Sequence, residues 1–175
     1  MARELTVLLE TRAAELGVEL EVVGNEEFVL NADGRKLRQA LLNLVLNAMQ
    51  ASPSGEKVTI GVSKSCGWGA CITVTDHGPG MSQEVLERIK KPYFTTRKGG
   101  TGLGIAVARG LIEQHGGKLE YKSTHDGPSH GTMATIELPV CALKAKMAKK
   151  LPNPARDAED AAEARAGIPE TPAAS

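Results

Sequence analysis

Apolar residues recur at helical spacing near the start of the chain, at Leu5, Leu8, Leu9, Ala13 and Leu16, and Gly17 follows as a stop. A helix this short and one-sided needs a partner to cover it. The period then drops to two over Val18-Glu19-Leu20-Glu21-Val22, which predicts a strand. Phe28-Val29-Leu30 predicts a second short strand, divided from the first by Gly24-Asn25. Asp33 stands where it can cap a helix from about Gly34 to Gln50, whose core stripe is Leu37, Leu41, Leu44, Val45, Ala48 and Met49. Ala51-Ser52-Pro53-Ser54-Gly55 ends it with turn chemistry. Alternation returns over Lys57 to Ser65 and over Ala70 to Thr75, with Cys66-Gly67-Trp68-Gly69 as the hairpin loop. Ser82 caps a short helix, Gln83 to Ile89. A third apolar stripe, Leu103 to Ile112, is stopped by His115-Gly116-Gly117. Lys118 to Thr124 and Thr132 to Leu138 pair as a last hairpin around Asp126-Gly127-Pro128.

After Pro139 this patterning stops. Residues 141–175 are rich in Ala, Lys, Glu and Pro with almost no bulky apolar side chains, so a tail or linker, largely disordered, is expected there. The preceding residues suffice for one domain with its own core. Aromatic residues make up only 3% of the chain, so that core must be aliphatic. Lys plus Arg and Asp plus Glu both number 21, which gives no support for a nucleic-acid or acidic-membrane partner. Cys66, Cys71 and Cys141 show no CxxC spacing; this argues against a zinc site or disulfide framework and fits a reducing, cytoplasmic setting. No apolar run approaches the length of a membrane span, and the N-terminus lacks the order of a signal peptide.

Three polar features interrupt the pattern. Asn43 and Asn47 lie four apart amid leucines, so they share one helix face. They are either mutually bonded or solvated side chains, or the polar edge of a ligand cavity. Asp76-His77-Gly78-Pro79-Gly80-Met81 places a carboxylate at a strand end before a tight turn, where Asp is commonly a turn-former. Tyr93 to Gly104 holds four glycines, two cations and three threonines, and runs straight into a helix. A loop of this kind is either an ordinary surface turn or an anion site built from backbone N–H groups at a helix start. A P-loop is excluded: Gly117-Lys118 is followed by Leu119, not by Ser or Thr. A dinucleotide fingerprint is excluded as well, because this loop follows Phe-Thr-Thr and lacks the Gly-x-Gly-x-x-Gly spacing.

Taken in order, the features are more specific than any one alone. Gln39-x-x-x-Asn43-Leu44-x-x-Asn47-Ala48-x-x-Ala51 matches an N box, and Asp76-His77-Gly78-Pro79-Gly80-Met81 a G1 box. Pro92-Tyr93-Phe94-Thr95-Thr96 matches an F box and Gly100-Thr101-Gly102-Leu103-Gly104 a G2 box. Residues 18–140 thus resemble the ATP-binding catalytic domain of sensor histidine kinases, in the superfamily shared with gyrase, the heat-shock chaperone ATPases and mismatch-repair ATPases. The short span from Phe94 to Gly100 is similar to the short-lid, nitrogen-regulation-like group. The fold so implied is an α/β two-layer sandwich, a mixed, mostly antiparallel sheet with helices packed on one face, known as the Bergerat ATP-binding fold. Residues 1–17 would be a connector helix, the remnant of a preceding helical domain.

The resemblance also implies roles. Asp76 would accept from the adenine amino group, with Thr132 supporting it. Gly78 and Gly80 would let the backbone pass close to the base. Asn47 would ligate Mg²⁺ through its amide oxygen, and Asn43 would line the same phosphate site. Gly100, Thr101, Gly102, Leu103 and Gly104 would bind the phosphates, Leu103 and the glycines through backbone N–H groups. Lys98 and Arg97 would neutralise charge from the lid, and Phe94 would anchor it. The ATPase branches carry a Glu where Asn43 stands; an amide is no general base, so brisk ATP hydrolysis is not expected. Asn43, Asn47 and Lys98 would instead serve transfer of the γ-phosphate to a histidine on a separate dimerisation and phosphoacceptor domain, with a response regulator downstream. His77, His115, His125 and His130 are in no acceptor context, so the chain alone should bind ATP without autophosphorylating. Gln50 stands where many relatives place a phosphate-contacting lysine. The rival readings are a stand-alone anti-sigma-type serine kinase and a nucleotide-gated binding module without catalysis.

Overall fold

The structure, a computed structural model, describes residues 1–24, 30, 32–64, 69–97, 99–125 and 130–139. The expected strand at Phe28-Val29, both hairpin tips, Lys98 and the tail 141–175 lie outside the described residues.

Five strands form one sheet: β1 (Glu19–Val23), β2 (Lys57–Lys64), β3 (Gly69–Asp76), β4 (Lys118–Thr124) and β5 (Gly131–Pro139), in the order β1-β2-β3-β5-β4. Among the described residues four helices accompany them: α1 (Ala2–Leu16), α2 (Gly34–Ala51), α3 (Gln83–Arg88) and α4 (Gly104–Glu113). Only β1 and β2 run parallel, and such a pair needs a crossover, which α2 supplies. The other three pairings are antiparallel.

Alternation decides which face is covered. Val58, Ile60, Ile72, Val74, Ala134, Ile136 and Leu138 point to the helices and are buried. Thr59, Thr73, Thr75, Thr135 and Glu137 stand between them on the other face, none of them buried. With period two, these polar residues lie away from the helices, while Asp76 at the end of β3 and Thr132 opposite it fall on the covered face. That carboxylate is 7% exposed and is the buried charged residue of the described core.

α2 supplies most of the opposing layer, through Leu37, Ala40, Leu41, Leu44, Val45, Ala48 and Met49. Its start is fixed as expected: the Asp33 carboxylate accepts from the N–H groups of Arg35 (2.9 Å) and Lys36 (3.3 Å). α1 finds its partner here. Leu5, Leu9 and Ala13 enter the same buried cluster as α2 and the sheet, and Gly17 ends the helix at φ 69°. α4 lies against the other flank of α2 and buries Ala108 and Ile112. None of the described helices is long and apolar enough to cross a membrane.

Candidate functional site

A cleft of about 810 Å³ opens between α2, the ends of β3 and β5, α3 and the loop before α4. Asn43, Asn47, Asp76, Gly80, Phe94, Arg97, Gly100, Thr101, Gly102, Gly104 and Thr132 all line it. These residues span ninety positions of sequence, and the fold brings them to one cavity.

One end is held by strands. The Gly78 N–H donates to Asp76 Oδ1 at 2.9 Å, and the Thr132 N–H donates to the same oxygen at 3.1 Å. Neither of these bonds uses Oδ2. Burial pushes the Asp76 carboxyl above its ordinary value of 3.8; the two N–H donors, His77 and Arg97 offset part of this. Thr132 therefore supports Asp76 through its main chain. Its hydroxyl instead pairs with Ser123 Oγ at 2.9 Å. Ser123 gives its single proton to Gly131 O and accepts from the Met81 N–H at 2.8 Å, so Thr132 is the donor in that pair. The turn after Asp76 is clamped from outside. His130 Nδ1 donates to Gly78 O at 2.7 Å and His125 Nδ1 to Pro79 O at 3.0 Å. Gly80 sits at φ 69° against β4, where a Cβ would lie 1.9 Å from Thr124 O. Val74, Met81, Val85, Ile89, Ile105, Tyr121 and Ala134 give this end apolar walls.

The other end is held by a loop. The Tyr93 N–H donates to Gly102 O at 3.0 Å and so closes the loop at its base. Tyr93 is the described non-glycine residue with positive φ (64°), and its ring is 77% exposed. Gly102 is at φ 65° with a Cβ position 2.5 Å from Tyr93 C, so no larger residue fits beneath the lid. The Arg88 guanidinium covers the Phe94 ring at 4.5 Å from its centroid, which holds Phe94 in place. α4 starts at Gly104 with no side-chain cap, and Gly104 and Ile105 at its start line the cleft.

Arg97 bridges the two walls. Its Nη2 donates to Asn47 O at 2.8 Å, and its Nη1 lies 3.4 Å from Asn47 Oδ1 and also bonds Gln50 Oε1. The lid therefore lies on the Asn47 face of α2. Burial lowers the Arg97 pKa and the Asp76 charge partly restores it. Gln50, Arg12 and Tyr121 also line the cleft. From the sequence Gln50 is expected only as a lost phosphate contact, and Arg12 and Tyr121 carry no expected role. Nothing in helical or strand period distinguishes them from ordinary surface or core positions.

The Asn47 amide oxygen suits a hard cation, and it already accepts from the positive charge of Arg97. Among the described residues no cluster of three or more His, Cys, Asp or Glu forms.

The family model described as histidine kinase-, DNA gyrase B-, and HSP90-like ATPase matches residues 32–142. The sensor histidine kinase ZraS of Salmonella typhi is 41% identical over 136 residues, 77% of this chain and 29% of that protein. Sporulation kinase C of Bacillus subtilis is 32% identical over 140 residues, 79% of this chain and 32% of that protein. This chain thus spans about a third or less of these two relatives. Among solved structures, the catalytic domain of histidine kinase ThkA superposes with a TM-score of 0.68 at 31% identity, covering 79% of this chain and 90% of that one. Full-length ShkA, solved in complex with AMPPNP, gives 0.70 at 29% identity, over 80% of this chain and 29% of that one. The chain belongs to the histidine kinase-, gyrase B- and HSP90-like ATPase family, and within it is homologous to the catalytic ATP-binding domains of sensor histidine kinases.

Proposed function

We propose that the domain binds Mg-ATP in this cleft and delivers its γ-phosphate to a histidine on a separate dimerisation and phosphoacceptor domain. The observation that carries the transfer is the distribution of charge along the cleft. Asp76 is the one carboxylate among the described residues lining it, and it stands at the strand-held end. The loop end presents Asn43, Asn47, Arg97 and the uncapped start of α4. An ionised carboxylate beside a base pocket accepts from the adenine amino group, whereas guanine offers a carbonyl at that place. The triphosphate then extends toward the N–H groups of Gly102, Leu103 and Gly104. Arg97, with Lys98 beside it in sequence, neutralises its charge. Asn47 would hold Mg²⁺, which supplies charge neutralisation on the phosphates when bound. Asn43 orients polar atoms there but cannot take a proton from water, so the γ-phosphate waits for a nucleophile from outside. The fused or partner phosphoacceptor domain supplies it, and a response regulator receives the phosphoryl group afterwards.

The test is to mix the domain with the phosphoacceptor hairpin of its own kinase and γ-labelled ATP. A base-stable, acid-labile product on the hairpin is expected, with slow hydrolysis by the domain alone. An acid-stable product would place the target on serine or threonine. ATP binding with no product on any acceptor would reduce the domain to a nucleotide-gated module.

A further inference from the structure

Tyr121 carries a hydroxyl that is buried and has no hydrogen-bond partner among the described residues. Orphaned buried hydroxyls are uncommon, because the lost water bonds are not replaced. This one belongs to a side chain that lines the nucleotide cleft. In the sheet, Tyr121 stands opposite Ala134, which in turn stands opposite Val74. The next row on the same face is Ser123, Thr132 and Asp76. Rows two residues apart are about 7 Å apart along a strand, and a tyrosine ring spans most of that distance. Ala134 has no side chain beyond Cβ, so the ring has room over the sheet floor. Burial raises the phenol pKa well above its ordinary value of 10.0, against the lowering pull of the Arg109 charge, so the group stays a neutral donor.

Resting on the assignment of this cleft to an adenine nucleotide, we propose that the Tyr121 hydroxyl is a base-binding and specificity-determining group. It donates to an acceptor on the purine edge, directly or through one water that enters with the base. Adenine presents an amino donor beside a ring-nitrogen acceptor on its Watson–Crick edge. Asp76 accepts from the first and Tyr121 serves the second. Guanine presents the reverse order, a carbonyl acceptor beside a ring N–H, and mismatches both groups. The pair therefore reads adenine twice, with two side chains from strands that lie apart in sequence.

Tyr121→Phe removes the hydroxyl and keeps the ring. Ligand-free protein is followed by thermal melting, and ADP and GDP binding by calorimetry. A group satisfied only by the base gives effects of opposite sign. The ligand-free variant melts above wild type, because the orphaned hydroxyl is gone. The same variant binds ADP roughly tenfold more weakly, and its preference for ADP over GDP narrows. Unchanged ADP affinity with an unchanged ADP-to-GDP ratio would overturn the proposal and leave Tyr121 a packing residue. A fall in melting temperature with unchanged affinity would overturn it too. Wild-type protein that binds no ADP would remove the nucleotide assignment itself, a separate failure that the wild-type titration reveals first.

Discussion

The two ends of the cleft are built differently. The end proposed for the base is made of strand termini and a turn whose backbone groups are bonded: Asp76 Oδ1 receives two N–H groups, and Ser123, His125 and His130 hold the turn from the next hairpin. The end proposed for the phosphates is made of loop. The Tyr93–Gly102 bond closes it at its base, and its described links to the rest are the Arg88–Phe94 contact and the reach of Arg97 to α2. A site that must recognise one base profits from a preorganised wall, because little ordering is left to do on binding. A site that must admit a metal and a triphosphate, and then expose the γ-phosphate, profits from a lid that can move.

The sharpest way to break this contrast is Asp76→Asn. It keeps an oxygen for Gly78 and Thr132 but loses the charged acceptor. ADP binding should fall by about a hundredfold or more, read by calorimetry, and wild-type-like affinity would remove the adenine assignment. Stability should move the other way. Burial raises the folded-state pKa of Asp76 above 3.8, so the ionised carboxylate costs stability above that raised pKa. The cost is relieved as pH falls through the raised pKa toward 3.8. The variant should therefore melt above wild type at neutral pH and converge with it in acid. A constant difference across pH would argue against the burial effect.

Next comes a matched pair of glycines. Gly80 and Gly99 both have positive φ, at 69° and 79°. A Cβ at Gly80 meets Thr124 O, while one at Gly99 meets nothing within 4 Å. Gly99→Ala should cost about 1–2 kcal/mol of left-handed backbone strain alone. Gly80→Ala should cost clearly more and lower ADP affinity, since β4 must shift. Equal losses in denaturant titrations would mean the base end is no more rigid than the lid.

At the phosphate end, Asn47→Ala should weaken Mg-ATP roughly tenfold and metal-free nucleotide less. Equal losses would argue against the metal role. The smallest effect is expected for Arg97→Ala. The guanidinium holds the lid on Asn47 and Gln50 before it can serve phosphate, so its removal frees the lid while losing a cation. Affinity for ATP should drop only about threefold to tenfold, with faster hydrogen exchange over residues 95–101. Unchanged exchange would show that the Arg97 contact does not restrain the lid.

Much of this was legible in the chain before folding. The switch of apolar period from 3.6 to 2 located α1, α2, α4 and all five strands, because burial of one face imposes that period wherever a face is covered. The four boxes singled out residues that the fold brings to one cleft, since glycines at close approaches and polar residues among leucines are costly unless used. The sequence also carried the Asp33 cap, a bond two and three residues long. What only the tertiary structure decided depends on distance in sequence. That Thr132 serves Asp76 by its N–H and Ser123 by its hydroxyl follows from strand register. That Arg97 crosses fifty positions to Asn47 follows from how the lid lies on α2. Residues 1–17 read like any amphipathic helix, and only packing shows Leu5, Leu9 and Ala13 inside the same buried cluster as α2 and the sheet. Tyr121 reads as one more inward strand residue. Its unpaired hydroxyl is visible only once three strands and a cleft surround it, because hydrogen-bond satisfaction is a property of the neighbours and not of the residue.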